Sequence, residues 1–149
     1  MTRTELTEKI RDLKRKKKQS WKALAAKIDP KASPIFLTAA LLGQMKLEPA
    51  QAKAAAKLFG LSADEAALLE EIPYRGSLPP GPPTDPLIYR FHELVQVYGT
   101  TWKELIQEEF GDGIMSAIDF DMTMERQSDP KGDRVRLVMT GKFLSYKRY

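Results

Sequence analysis

Apolar positions in the first half of the chain recur at helical spacing and fall into short runs. Leu6, Ile10 and Leu13 form one stripe of a helix from Thr4 to about Lys18. Ser20 is placed to cap a second helix, Trp21 to Ile28, whose apolar face is Trp21, Leu24, Ala25 and Ile28; Pro30 ends it. Ser33 followed by Pro34 opens a third helix reaching Leu42, with Gly43 as its stop. A fourth runs from Pro49 to Gly60. A fifth opens at Ser62, where Glu65 completes a capping box. The segment 73–85 carries five prolines and two glycines in thirteen residues. It cannot continue a helix or a central strand, and reads as a semi-rigid linker or an extended arm.

Beyond it the pattern changes twice. Asp85 and Pro86 are an N-cap and first-turn pair for a helix that Gly99 should end, and Thr101 with Glu104 caps another from Trp102 to about Phe110. From Ile118 the period becomes two: Phe120, Met122 and Met124 alternate with Asp119, Asp121, Thr123 and Glu125. Ser128 to Asp133 is a turn signal. A second strand follows, with Val135, Leu137 and Met139 on one face. Gly141 breaks it before a short segment, Phe143 to Lys147. The expectation is an α+β chain: a helical domain at 1–72, a linker at 73–85, and a small α+β domain at 86–149. Two or three strands with one apolar face are marginal alone. Two helices in so small a module cover little, so a second copy of the chain is the economical cover. Oligomerisation is therefore expected from the pattern itself.

Composition narrows the chemistry. Cysteine is absent and His92 is the single histidine, which removes disulfides, thiolate nucleophiles and Cys/His zinc sites. No apolar run approaches the ~20 residues of a membrane span, and basic Met1–Lys18 has no apolar stretch of the secretory kind. A cytoplasmic location is compatible with this. Charge is uneven: residues 1–80 hold 15 Lys and Arg against 9 Asp and Glu, and residues 81–149 hold 9 against 11. Most of the excess is Lys14-Arg15-Lys16-Lys17-Lys18. A basic module of short helices suggests a helix-turn-helix DNA-binding regulator with a C-terminal dimerisation module. The candidate recognition helix argues against it. Its first turn offers Pro34, Ile35 and Phe36, and the whole helix has no Arg, Lys, Asn or Gln to reach base edges. A solvated helix end accounts equally well for the lysines.

On the helix opened by Pro86, the residues Leu87, Phe91, Leu94 and Tyr98 form the expected core stripe, while His92 lies on the polar side as a surface residue. Arg90 and Glu93 are three apart and therefore neighbours. Taken alone they are a surface ion pair; Val97 in the same stripe suggests instead that they face another surface. An arginine held there with one carboxylate could bind a small anion through its fork of donors. Gly111-Asp112-Gly113 reads either as a helix C-cap with a turn or as a backbone anion-binding concavity, and Ser116 alone reads as a packing residue.

The run Asp85-Pro86-Leu87-Ile88-Tyr89-Arg90-Phe91-His92-Glu93-Leu94-Val95-Gln96-Val97-Tyr98-Gly99, followed by Phe110-Gly111-Asp112-Gly113-Ile114-Met115-Ser116-Ala117-Ile118-Asp119-Phe120, resembles the C-terminal domain of cyanases. The likeness extends to Pro73–Ser77, Thr38–Gln44 and Gly141–Leu144, and is weakest in the first thirty residues. His92 stands where that family often has Tyr, and Gln107 where it often has His. The resemblance implies catalytic roles for Arg90, Glu93 and Ser116. It implies a lyase that combines cyanate with bicarbonate, a co-substrate, to give carbamate and carbon dioxide. No metal and no organic cofactor are implied. It also implies a homodecamer of five dimers with sites between subunits, and a repressor-like N-terminal domain that does not read DNA, so that nucleic acid and membrane are not expected partners.

Overall fold

Thr2 opens the first helix with a capping box: its side chain accepts from the Glu5 amide while the Glu5 carboxylate accepts from the Thr2 amide. In the computed structural model, which describes residues 1–148, this helix, α1, runs Arg3–Lys17 and closes on Lys18 in the left-handed region. Four more short helices follow as α2 (Trp21–Ile28), α3 (Pro34–Leu41), α4 (Pro49–Phe59) and α5 (Ala63–Glu70). Ser20, Ser33 and Ser62 each accept from the amide three residues on, so the caps fall where the side chains require them. Leu6, Ile10, Leu24, Leu37, Leu41, Leu47 and Leu69 have no exposed surface and form the centre of this unit's core. Each such side chain contributes about 1.5–3 kcal/mol on burial.

Polar ties fix the helices at their ends. Arg3 donates from Nη2 to the carbonyl oxygens of Ala40 at 2.6 Å and Met45 at 3.4 Å, satisfying acceptors where α3 ends. Burial pulls the Arg3 guanidinium below its ordinary pKa, against the opposing pull of Glu71. Lys9 pairs with Glu65 at 2.6 Å across α1 and α5. Gln51 donates to Asp29 at 2.9 Å. Gly43, at φ 81°, closes α3; a Cβ there would meet Thr7 Oγ1 at 2.8 Å. Only Gly fits that corner. The start of the proline-rich segment is tied beside this corner, where the Gly76 amide donates to Gln44 at 2.8 Å. Met1–Ser77 forms one compact unit and the residues from Leu78 onward a second.

In the second unit one helix stands where two were expected. α6 runs unbroken from Pro86 to Phe110. Gly99 lies inside it, and a Cβ there would make only ordinary contact with Val95. A glycine in mid-helix costs roughly 0.5–1 kcal/mol relative to Ala, less than the cost of nucleating a new helix beside it. α6 ends at Gly111, φ 89°. The first strand, β1, spans Gly113–Gln127 and starts five residues earlier than the alternation from Ile118 suggests. β2, Arg134–Ser145, continues through Gly141. They pair antiparallel, with Met122 opposite Met139 and Met124 opposite Leu137, so the apolar positions share one face. The pairing jumps between Met115 and Phe120, and this bulge hid the start of the strand from a period-two reading. Asp129 sets the connecting turn, accepting from the Lys131 amide at 2.8 Å and Arg134 Nε at 3.0 Å. Phe110 stacks on Phe143 with ring centroids 5.1 Å apart.

The stripe expected to be core on α6 is not buried within this chain. Leu87 is 70% exposed and Phe91 49%, and no residue of α6 is buried. Among the described residues of the second unit, Ser116 alone is buried. The amphipathic pattern is correct, but the surface that would cover it is not supplied by the second unit itself.

Candidate functional site

The two halves of the candidate site are built by different local devices. Asp85 caps α6 by accepting from the amides of Leu87 and Ile88, both at 2.9 Å, and Pro86 occupies the first turn. Arg90 lies one turn on. Its Nε donates to the Pro86 carbonyl at 3.1 Å, its Nη1 pairs with Glu93 at 3.1 Å, and its guanidinium carbon sits 5.3 Å from the centroid of the Tyr89 ring. The guanidinium is thus held by its own helix through three contacts. The Arg90 side chain is still 59% exposed and that of Glu93 48%. Among the described residues, Nη2 of Arg90 makes no hydrogen bond. An arginine fixed at its base with donors open to solvent is suited to small anions. His92 is half-buried, its ring tilted against Tyr89 at 5.6 Å, so it is less of a surface residue than its helix position suggested.

Ser116 lies in β1 at the start of the bulge and is 6% exposed. Its Oγ accepts from the amides of Ile118 at 3.0 Å and Asp119 at 2.9 Å. The Gly-Asp-Gly segment before it is a C-cap and turn: the Gly111 amide donates to Gln107 at 2.9 Å and the Asp112 carbonyl accepts from Tyr146 at 3.1 Å. The groove beside the bulge is lined by Asp119, Phe120, Asp121, Thr140, Gly141 and Lys142. Two carboxylates against one lysine make it a poor site for anions.

Arg90 and Glu93 are brought together, as their spacing requires. No hydrogen bond or ion pair among the described residues joins either to Ser116. Sequence reading missed Tyr89 beneath Arg90, the Pro86 carbonyl that anchors it, and Gly141, which pairs with Phe120 and closely approaches the Ser116 carbonyl. The first two could have been found from helical neighbour geometry. Gly141 depends on strand register, which no local pattern gives.

Comparison with known proteins decides the family. Residues 80–148 match the Cyanate lyase C-terminal domain, and residues 3–73 match the family described as Cyanate hydratase, N-terminal. The chain belongs to the cyanate hydratase family. The cyanate hydratase of Ralstonia pickettii (strain 12J) is 59% identical over 149 residues, and that of Variovorax paradoxus (strain S110) 58% over 149, each covering 100% of both chains. A crystal structure of cyanase from T. urticae superposes with a TM-score of 0.78 at 36% identity, covering 94% of this chain and 96% of that one. Like these relatives, the chain is an enzyme of the cyanate lyase class, and its α+β architecture is that of the T. urticae cyanase. No helix among the described residues is long and apolar enough to cross a membrane.

Proposed function

We propose that this cyanate hydratase decomposes cyanate in a bicarbonate-dependent reaction, with Arg90, Glu93 and Ser116 as its catalytic residues. A bicarbonate oxygen adds to the cyanate carbon, giving a dianionic adduct. The bond between that oxygen and the bicarbonate carbon then breaks, releasing carbon dioxide, while the cyanate nitrogen gains protons. One bicarbonate, one cyanate and one proton yield carbamate and carbon dioxide; a further proton decomposes carbamate to ammonia and a second carbon dioxide. Both substrates are anions, so the first requirement is a fixed positive charge. Arg90 meets it, and it stabilises the dianionic adduct more than the separated ions, which is what lowers the barrier. Glu93 orients Arg90, and Ser116 binds one anion. The chemistry calls for no metal or organic cofactor.

The observation that carries the reading is the exposed Arg90 guanidinium, anchored at Nε and Nη1 and paired with a single carboxylate. The uncovered apolar stripe of α6, with Leu87 70% and Phe91 49% exposed, favours a site shared between copies. A homo-oligomer, a decamer of five dimers, supplies Ser116 from a neighbour and covers the exposed stripe of α6. We place the enzyme in the cytoplasm. The test is ammonia release from the purified assembly given cyanate with and without bicarbonate, read beside its mass in solution. Ammonia that needs both substrates, from a particle far larger than one chain, is the expected result. Equal release without bicarbonate overturns the mechanism.

A further inference from the structure

The bulge in β1 does more than displace Ser116. The strands pair at Met115 with Phe143 and again at Phe120 with Gly141, so four residues, Ser116 to Asp119, stand against Lys142 alone. Ser116 Oγ accepts from two amides inside this bulge, Ile118 at 3.0 Å and Asp119 at 2.9 Å. A serine hydroxyl has two lone pairs and one hydrogen. Both lone pairs are engaged by the backbone. What remains is the proton.

From this geometry we propose that the bulge makes Ser116 a donor-only hydroxyl, able to bond an anion solely by giving its hydrogen, and that Gly141 is the positioning residue that lets the bulge form. The proposal rests on the reading above, in which Ser116 belongs to the anion site. It adds how the residue is set. A free hydroxyl can turn a lone pair toward water or a cation; this one cannot without breaking a backbone bond. It follows that the Ile118 and Asp119 amides serve Ser116 and not the substrate. Gly141 is required by close approach: a Cβ there would overlap the Ser116 carbonyl oxygen and lie 2.6 Å from Met115 Cγ. Any side chain at this position pushes the start of the bulge away and, with it, the hydroxyl.

A kinetic double-mutant cycle on the assembled full-length enzyme tests this. Ser116→Ala should lower kcat on the order of 10²-fold, the scale for losing one oxyanion donor, and Ser116→Thr should restore most of it. Gly141→Ala should lower kcat by roughly 10-fold or more, with KM for both substrates changed far less. In the Ser116→Ala background it should cost no more than about 2-fold, since the group it positions is already gone. Losses that multiply would show that Gly141 acts elsewhere and would overturn the inference. A fully active Ser116→Ala would instead remove Ser116 from the site, which is failure of the underlying reading. Should Gly141→Ala not assemble, amide hydrogen exchange on the wild type decides. Ile118 and Asp119 must be protected, and must exchange faster in Ser116→Ala. Unprotected amides in the wild type refute the donor-only hydroxyl.

Discussion

Replacing Arg90 with lysine separates the charge at this position from the way it is held. Lysine keeps the positive charge but has no Nε at the branch point of a planar fork. A single ammonium cannot hold the positions from which Nε donates to the Pro86 carbonyl at 3.1 Å and Nη1 pairs with Glu93 at 3.1 Å and still present a fixed fork of donors to an anion. At least one donor that acts on the dianionic adduct is lost. One such donor is worth about 2.7–4 kcal/mol of transition-state stabilisation, or about 10²–10³ in kcat. Stability should hardly change. The Arg90–Glu93 pair is half exposed, and a pair three residues apart on a helix contributes only about 0.2–0.5 kcal/mol. The assay is initial-rate ammonia release at saturating bicarbonate, with the oligomer's mass and melting temperature measured on the same sample. The expected result is an intact assembly with a large fall in kcat. Arg90→Lys retaining kcat within about 3-fold would show that charge alone suffices and that the fork geometry of the guanidinium is irrelevant. A comparable loss accompanied by dissociation would mean that Arg90 holds the assembly together instead.

Three further outcomes follow from the same structure. Leu24 has no exposed surface, so Leu24→Ala should destabilise the N-terminal unit by about 2–5 kcal/mol in urea unfolding of the full chain, and a cost below about 1 kcal/mol would contradict its place in the core. The Glu65 carboxyl is held below its ordinary pKa of 4.5, first by the hydrogen bond from Lys9 and then by the Ser62 amide. A depressed carboxylate contributes stability that is fully present above about pH 4.5 and is lost as pH falls through the lower folded value. Glu65→Gln should therefore flatten the fall in melting temperature below pH 4.5, and an unchanged acid slope would count against the Lys9–Glu65 tie. Phe91 is 49% exposed on the uncovered stripe of α6, so Phe91→Asp should lower the mass of the particle in solution; an unchanged mass with full activity would exclude that stripe from the subunit contact.

The sequence alone determined the local elements of the N-terminal unit. Caps at Ser20, Ser33 and Ser62 and stops at Gly43 and Gly60 act within a few residues, so a local pattern suffices to read them; the Thr2 capping box, which starts α1 at Arg3 and not Thr4, was not read. The Arg90–Glu93 neighbourhood was equally legible, since helical spacing places those side chains together whatever surrounds them. Tertiary structure decided the rest. Gly99 looked like a stop but is carried inside α6, because continuing a helix costs less than restarting one. The bulge at Ser116–Asp119 is invisible to a period-two count, because it exists only against the register of β2. That register pairs Gly141 with Phe120 and brings it close to the carbonyl of Ser116, 25 positions away in the chain, and the bulge turns what read as a small packing residue into a hydroxyl with both lone pairs spent. Contacts set by spacing along one helix can be read from sequence; contacts between strands depend on a register that only the folded chain fixes.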